Sequence, residues 1–221
     1  MTYTETSIRS LIFTGIGLML ISSQLLMNSE TISANSKNQK PSSWQIITTK
    51  IFRRKPRQPI SRGDLCLISP TNQKAIYSTR PLFLWKGNFK KIAVANLGSN
   101  NPFWEYKISE QKSFVSYTGK DKLQPGETYE WHGYIGENPA ILAEFNIMDT
   151  QQQQVVSDEL KKLERQLLAK GANKEIIARY KVEYFIDKEL WSNALQEAYA
   201  VPNPSPELSQ ILQDLPDRLC K

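Results

Sequence analysis

The stretch 114–135, reading FVSYTGKDKLQPGETYEWHGYI, constrains this chain more than any other. Phe114 to Tyr117 alternates apolar and polar residues. Tyr129-Glu130-Trp131-His132-Gly133-Tyr134 sets two aromatics on one face and polar groups on the other. A period of two is the mark of a half-buried strand. Between the two runs, Pro125-Gly126 reads as a turn, because proline presets φ for the second turn residue and glycine accepts the positive φ that follows. The stretch is therefore expected to be two antiparallel strands joined by a corner.

From Gly63 onward, short strands are expected at 64–69, 75–78, 81–86, 91–97, 103–108, 113–117, 128–135 and 140–148, with Gly, Pro and Asn clusters between them. Strands at this rhythm build a sandwich or a barrel. Phe83 and Trp85 share one face of their strand, and Leu82 and Leu84 the other. Trp85, Tyr129, Trp131 and Phe145 are expected in the core, the usual place for aromatics embedded in strand alternation; ligand stacking is the other use of such rings. Trp104, beside an Asn-Pro loop, is expected to be the exposed one. The spacing Leu123-x-Pro125-Gly126-x-x-Tyr129 resembles the strand E to strand F corner of fibronectin-type and immunoglobulin-like sandwiches, where a tyrosine hydroxyl bonds to backbone a few residues upstream. The resemblance implies an immunoglobulin-like β-sandwich over 63–148.

After Asp149 the apolar period changes from two to about 3.6. Val156, Leu160, Leu163 and Leu167 form a helical stripe ending at Gly171, a natural C-cap residue. Asn173 is placed to cap a second helix with Ile177, Tyr180 and Tyr184 inward. A third, 190–201, carries Trp191, Ala194, Leu195 and Ala198, and its Trp191 is expected in the core. Ser205 then caps a last helix that opens with Pro206. The second and third helices loosely resemble one tetratricopeptide-like hairpin. A single such unit cannot bury both faces, so it must pack on flanking helices or on the sandwich.

The N-terminal part has a different composition. Residues 10–27 are the most apolar run, preceded by Arg9 and followed by no basic residue until Lys37. That asymmetry favours the N-terminus inside and the remainder outside a membrane. Residues 1–34 read as a signal peptide cleaved after Ala34 or as an uncleaved membrane anchor. Residues 35–62 read as a basic disordered linker. Its Lys50, Arg53, Arg54, Lys55 and Arg57 suit either a solvated tether or contact with anionic lipid or an anionic envelope polymer, with Trp44 and Phe52 dipping into the interface. The net charge of +6 belongs here: residues 1–62 hold nine Lys/Arg against two acids, and residues 63–221 hold nineteen against twenty. A neutral folded part argues against nucleic acid as a partner.

Catalytic equipment is sparse. Two cysteines and one histidine leave no paired-histidine site and no four-ligand zinc site. His132 lies on the strand face opposite Tyr129 and Trp131, where a solvent-facing histidine is expected. Glu127 and Glu130 fall on opposite faces, Glu105 and Glu110 flank a turn, and no phosphate-cradling loop is present. Cys66 and Cys220 are either a long-range disulfide, worth roughly 4–5 kcal/mol by loop closure, or a buried thiol and a free one. No cofactor is implied.

Arg80-Pro81-Leu82-Phe83, Gly126-Glu127-Thr128-Tyr129-Glu130-Trp131 and Leu190-Trp191-Ser192-Asn193-Ala194-Leu195 lie in an order similar to an uncharacterised cyanobacterial exported family, a domain of unknown function, over roughly 64–215. That resemblance implies no activity. The resulting expectation is a non-catalytic cell-envelope protein acting as an interaction or structural module. It would meet an envelope protein partner through the loops 98–102 and 136–139. Two other readings remain: an enzyme acting on cell-wall glycan through a carboxylate pair assembled by the fold, and a membrane-anchored accessory subunit of an envelope complex.

Overall fold

Among the described residues, eight strands form two antiparallel four-stranded sheets. The structure, a computed structural model, describes residues 43–53, 59–71, 74–109 and 112–220. The first sheet has the order β1 (Ile60–Arg62), β2 (Leu65–Ser69), β3 (Leu82–Lys86), β6 (Phe114–Ser116). The second has the order β5 (Trp104–Lys107), β4 (Lys91–Asn96), β7 (Thr128–Tyr134), β8 (Pro139–Asn146). Five helices accompany the sheets among the described residues: α1 (Ser43–Arg53), α2 (Thr150–Ala169), α3 (Lys174–Asp187), α4 (Trp191–Tyr199) and α5 (Pro206–Leu219).

The core between the sheets follows strand alternation. Phe83 and Trp85 of β3 meet Ile92 and Val94 of β4, Tyr129 and Trp131 of β7, and Phe145 of β8, all buried. Phe83 is the hub, with its ring centroid 5.1 Å from Trp131, 5.4 Å from Trp104 and 5.9 Å from Phe145. Trp104 is therefore a core residue, not an exposed one. Its indole sits between Phe83 and Tyr117, and its Nε1 donates to Thr118 Oγ1 at 3.3 Å. Gly133 is needed here, since a Cβ on it would come within 2.4 Å of the Phe89 ring.

The corner crosses from one sheet to the other. β6 pairs with β3 and β7 with β4 and β8, so the two strands of 114–135 belong to different sheets. Gly126 takes φ 83° in the turn. The Tyr129 hydroxyl accepts a hydrogen bond from Gln124 N at 2.9 Å, five residues upstream, and so ties the crossing to the start of β7.

β3 reads as an unbroken apolar run because both of its faces are covered. Leu84 and Cys66 on the outer face pack against Leu195 of α4 and Leu215 of α5. The Cys66–Cys220 disulfide closes this layer, with a Cα–Cα distance of 6.1 Å. The segment 75–78, expected as a strand, makes only a single parallel bridge, Ile76 with Ile147. Ile76 bonds through that bridge to Asn146 O and Met148 N, and α4 takes the next donor: Asn193 Oδ1 accepts from Tyr77 N at 3.0 Å, while Gln196 Nε2 donates to Ser78 Oγ and to Arg80 O, each at 3.1 Å.

The helix ends follow their capping residues. Asp149, Asn173 and Ser205 each accept a hydrogen bond from the third residue of the helix they precede, and Pro206 occupies a first-turn position. In α3 the apolar stripe is Ile177, Ala178, Val182, Phe185 and Ile186; Tyr180 is exposed and Tyr184 half-buried, against the expectation that both face inward. The hairpin of α3 and α4 packs both on its flanking helices and on the first sheet.

Residues 43–53 overturn part of the linker reading. They form α1, and Trp44, Ile47 and Ile51 are buried against the other helices. Glu175 holds the helix in place. Its Oε1 accepts from Trp44 Nε1 at 2.9 Å and from Ser205 Oγ at 2.6 Å, and its Oε2 from Ser205 N at 3.0 Å. Burial alone would push this carboxyl up, but the hydrogen bonds from Ser205 and Trp44 outweigh it and hold the group below the usual glutamate range. Trp44 thus packs into the protein and does not dip into an interface.

Candidate functional site

Three helices from different parts of the tail build a cleft of about 260 Å³. α2 supplies Glu164, α3 supplies Ile177 and Lys181, and α4 supplies Glu197. Lys181 Nζ lies 2.9 Å from Glu164 Oε2. Glu197 is different: burial raises its pKa, Lys181 partly offsets that, and the charge of Glu164 adds to it. A carboxyl shifted by burial and by named charged neighbours, sitting in a cleft, is the physical profile of a functional group, although structural networks share it. The cleft wall beside it is aliphatic, with Ile177, Ala178 and Val201. The arrangement can present a carboxyl whose charge is disfavoured by burial, next to an ion pair, to a polar ligand.

Sequence reasoning missed this cleft. Glu164, Lys181 and Glu197 are spread over three helices and carry no common motif, so only the packing of α2, α3 and α4 brings them together.

The raised pKa has a testable sign. The folded state binds the Glu197 proton more tightly than the unfolded chain does. Ionised Glu197 therefore destabilises the fold at neutral pH, and that cost fades as pH falls through the raised folded value towards the ordinary one. Glu197→Gln is expected to melt higher than wild type at pH 7 by calorimetry, with the difference shrinking on acidification. An unchanged or lower melting temperature at pH 7 would contradict the burial argument.

His132 requires a correction. It is 5% exposed, not solvent-facing. Its Nε2 lies 3.1 Å from Glu130 Oε2 and its Nδ1 3.4 Å from the Tyr134 hydroxyl. Ala93, its register partner on β4, leaves room for the ring on the outer face of the second sheet. Glu130 also accepts from Gly98 N at 3.1 Å, so it serves the loop after β4 as well as the histidine. No serine or cysteine completes a nucleophilic arrangement in these contacts.

The other residues singled out in the sequence are dispersed. Trp85, Tyr129, Trp131, Phe145 and Trp191 are all buried, the first four between the sheets and Trp191 among the helices. Lys50 is paired with Glu183 of α3, so it is engaged within the fold. The side chain of Arg53 and the residues Arg54, Lys55 and Arg57 lie outside what the structure describes, as does the apolar stretch 10–27. Among the described residues, no helix is long and apolar enough to cross a membrane. The loops 98–102 and 136–139 do not form one surface. Asn96 pairs with Tyr129 and Lys91 with Tyr134, which puts the loops at opposite ends of β4 and β7, about 20 Å apart at ordinary strand rise. Glu105 is paired with Lys91 at 2.6 Å.

No protein-family model, curated protein or solved structure matches this chain.

Proposed function

We propose that the chain is an exported, non-catalytic cell-envelope protein in which an immunoglobulin-like sandwich and a tetratricopeptide-like helical tail act as one interaction module. The Cys66–Cys220 bridge is the observation that carries this reading. Disulfides persist in oxidising compartments and are rare in reducing ones. The apolar run at 10–27, with its basic side towards the N-terminus, supports the same address. The Gln124–Tyr129 bond supports the immunoglobulin-like type, and the similarity to a cyanobacterial exported family supports the envelope setting. The partner is an envelope protein, with anionic lipid or polymer met by the basic residues 53–57. An uncleaved 10–27 segment would make the same module an anchored accessory subunit.

The test is made in cells. Thiols are trapped with acid, the envelope is separated from the cytosol, and the oxidation state of both cysteines is read by mass, together with the mass of the mature N-terminus. A bridged protein in the envelope fraction that crosslinks to a resident protein supports the reading. Two reduced cysteines in a cytosolic protein would overturn it.

The pairing of Glu164 and Glu197 in one cleft favours a second reading, a glycan-acting enzyme. Against it, Glu164 is already held by Lys181, and no aromatic ring lines the cleft. Release of soluble sugars from purified cell wall by wild type, lost in Glu197→Gln, would establish the enzyme and displace the module.

A further inference from the structure

Among the described residues, the outer edge of β6 carries backbone groups with no partner. Ser113 O accepts from Trp85 N at 2.8 Å, and Tyr117 N donates to Pro81 O at 2.9 Å. With Val115 opposite Phe83, residues 113, 115 and 117 turn their peptide groups towards β3. Alternation then turns the N–H and C=O of Phe114 and Ser116 away from the sheet. Among the described residues, neither has a backbone partner on that side. An open edge of this kind is a template for another extended chain.

An apolar groove lies on the same side. Phe114 turns away from the sandwich core and packs on Tyr199 of α4, with centroids 4.8 Å apart. Val201, Pro204 and Leu212 continue the apolar surface, and the groove holds about 370 Å³. In a strand laid beside β6, every second side chain would fall on the Phe114 side and point into this groove.

Basic residues outnumber acids around the edge. Lys112 precedes β6 and Lys120 and Lys122 follow it, against Glu110 and Asp121. The Arg80 guanidinium donates to Gly119 O at 2.8 Å and adds to the charge at the later end. Lysines around an edge oppose pairing between two copies of the same strand. They complement a strand with acidic ends.

We infer that the β6 edge and the groove beside it are the docking site for an extended, acid-flanked peptide segment of a partner, added as a fifth strand with one large apolar side chain in the groove. The mode is strand addition, in which main-chain bonds supply affinity and the pocket supplies selectivity. The inference rests on the reading of the chain as an interaction module and names the face that the module uses.

The probe is a heptapeptide alternating threonine and leucine between terminal glutamates, compared with a lysine-terminated counterpart on the full chain. Binding of the acidic peptide is expected to slow amide exchange at Phe114 and Ser116 about tenfold or more. Ser116→Pro removes an outward N–H without touching the β3 ladder, and Gln213→Trp fills the groove from its exposed rim. Each is expected to weaken binding about tenfold. Absence of protection at millimolar peptide, equal binding of the lysine-terminated peptide, or wild-type binding by both variants overturns the inference. Protection of the same amides by concentration alone, without peptide, would make a second copy the occupant and likewise overturn it. Crosslinking separates the two levels: capture of the same envelope partner by wild type and Ser116→Pro sinks the docking site and leaves the module, whereas a cytosolic, unbridged protein sinks the module.

Discussion

Replacing Cys66 and Cys220 together with serine is expected to lower the free energy of unfolding by roughly 4–5 kcal/mol, read as a shift of the urea midpoint against the oxidised wild type. The bridge joins residues 154 apart and so closes nearly the whole described chain into one loop. Its largest effect falls on the unfolded state, where it removes most of the freedom of that loop. The native state has other fastenings at the same place. Leu215 is 2% exposed, the Tyr199 hydroxyl donates to Leu212 O at 2.9 Å, and Lys86 pairs with Asp217 at 2.8 Å. The double-serine variant is therefore expected to fold to the same structure, with faster amide exchange confined to the last turn of α5. The slope of the urea transition is expected to steepen, because the opened chain exposes more surface on unfolding. A midpoint that stays put in the serine variant, with the bridge verified by mass in wild type, would mean that the denatured chain remains compact without it.

The sheet-and-helix architecture was legible in the sequence because its signals are local, whereas the two cysteines allowed a bridge or two thiols, and only the packing of α5 on β2 decides for the bridge. Period-two runs such as 128–132 alternate polar and apolar, the turns carry Pro125-Gly126 and similar pairs, and Asn173 and Ser205 announce their helices. Features that depend on distant partners were not legible. α1 places Trp44, Ile47 and Ile51 on one face, but Ile46 on the exposed side and the polar Thr48-Thr49-Lys50 blur that stripe, and the carboxylate that holds Trp44 is 131 positions away. The segment 75–78 has the composition of a strand, yet it pairs only through Ile76, and Asn193, more than a hundred residues downstream, takes the Tyr77 N–H. His132 obeys its strand face but is covered by its own neighbours Glu130 and Tyr134, which the rule that outward means exposed does not anticipate. The Glu197 cleft belongs to the same class, since a charge is informative only once packing has decided what surrounds it.

Trp131→Ala is expected to have an effect of similar size, by a different route. Its side chain is 0% exposed, and its Nε1 donates to Pro70 O at 2.6 Å, a bond buried where the loop after β2 meets the second sheet. Truncation opens a cavity beside Phe83, which large-to-small aromatic changes in cores make worth about 3–5 kcal/mol. It also leaves the Pro70 carbonyl without its donor, adding about 1–3 kcal/mol if water does not reach it. The two terms separate with Trp131→Phe, which keeps most of the ring volume and loses only the donor, so its cost should approach the second term alone. Tyr129→Phe is the control: it removes the bond to Gln124 N from a residue that keeps its packing, and about 1 kcal/mol is expected. Domains of ordinary stability hold about 5–15 kcal/mol, so Trp131→Ala should populate unfolded chain already at moderate urea, and near-ultraviolet circular dichroism should report the loss of aromatic order. The order of the three variants matters more than any one value. If Trp131→Phe were as mild as Tyr129→Phe while Trp131→Ala remained severe, the indole would act through volume alone. If Trp131→Ala cost no more than Tyr129→Phe, the residue would not lie between two packed sheets, and the fold on which both the module and its proposed edge depend would have to be redrawn.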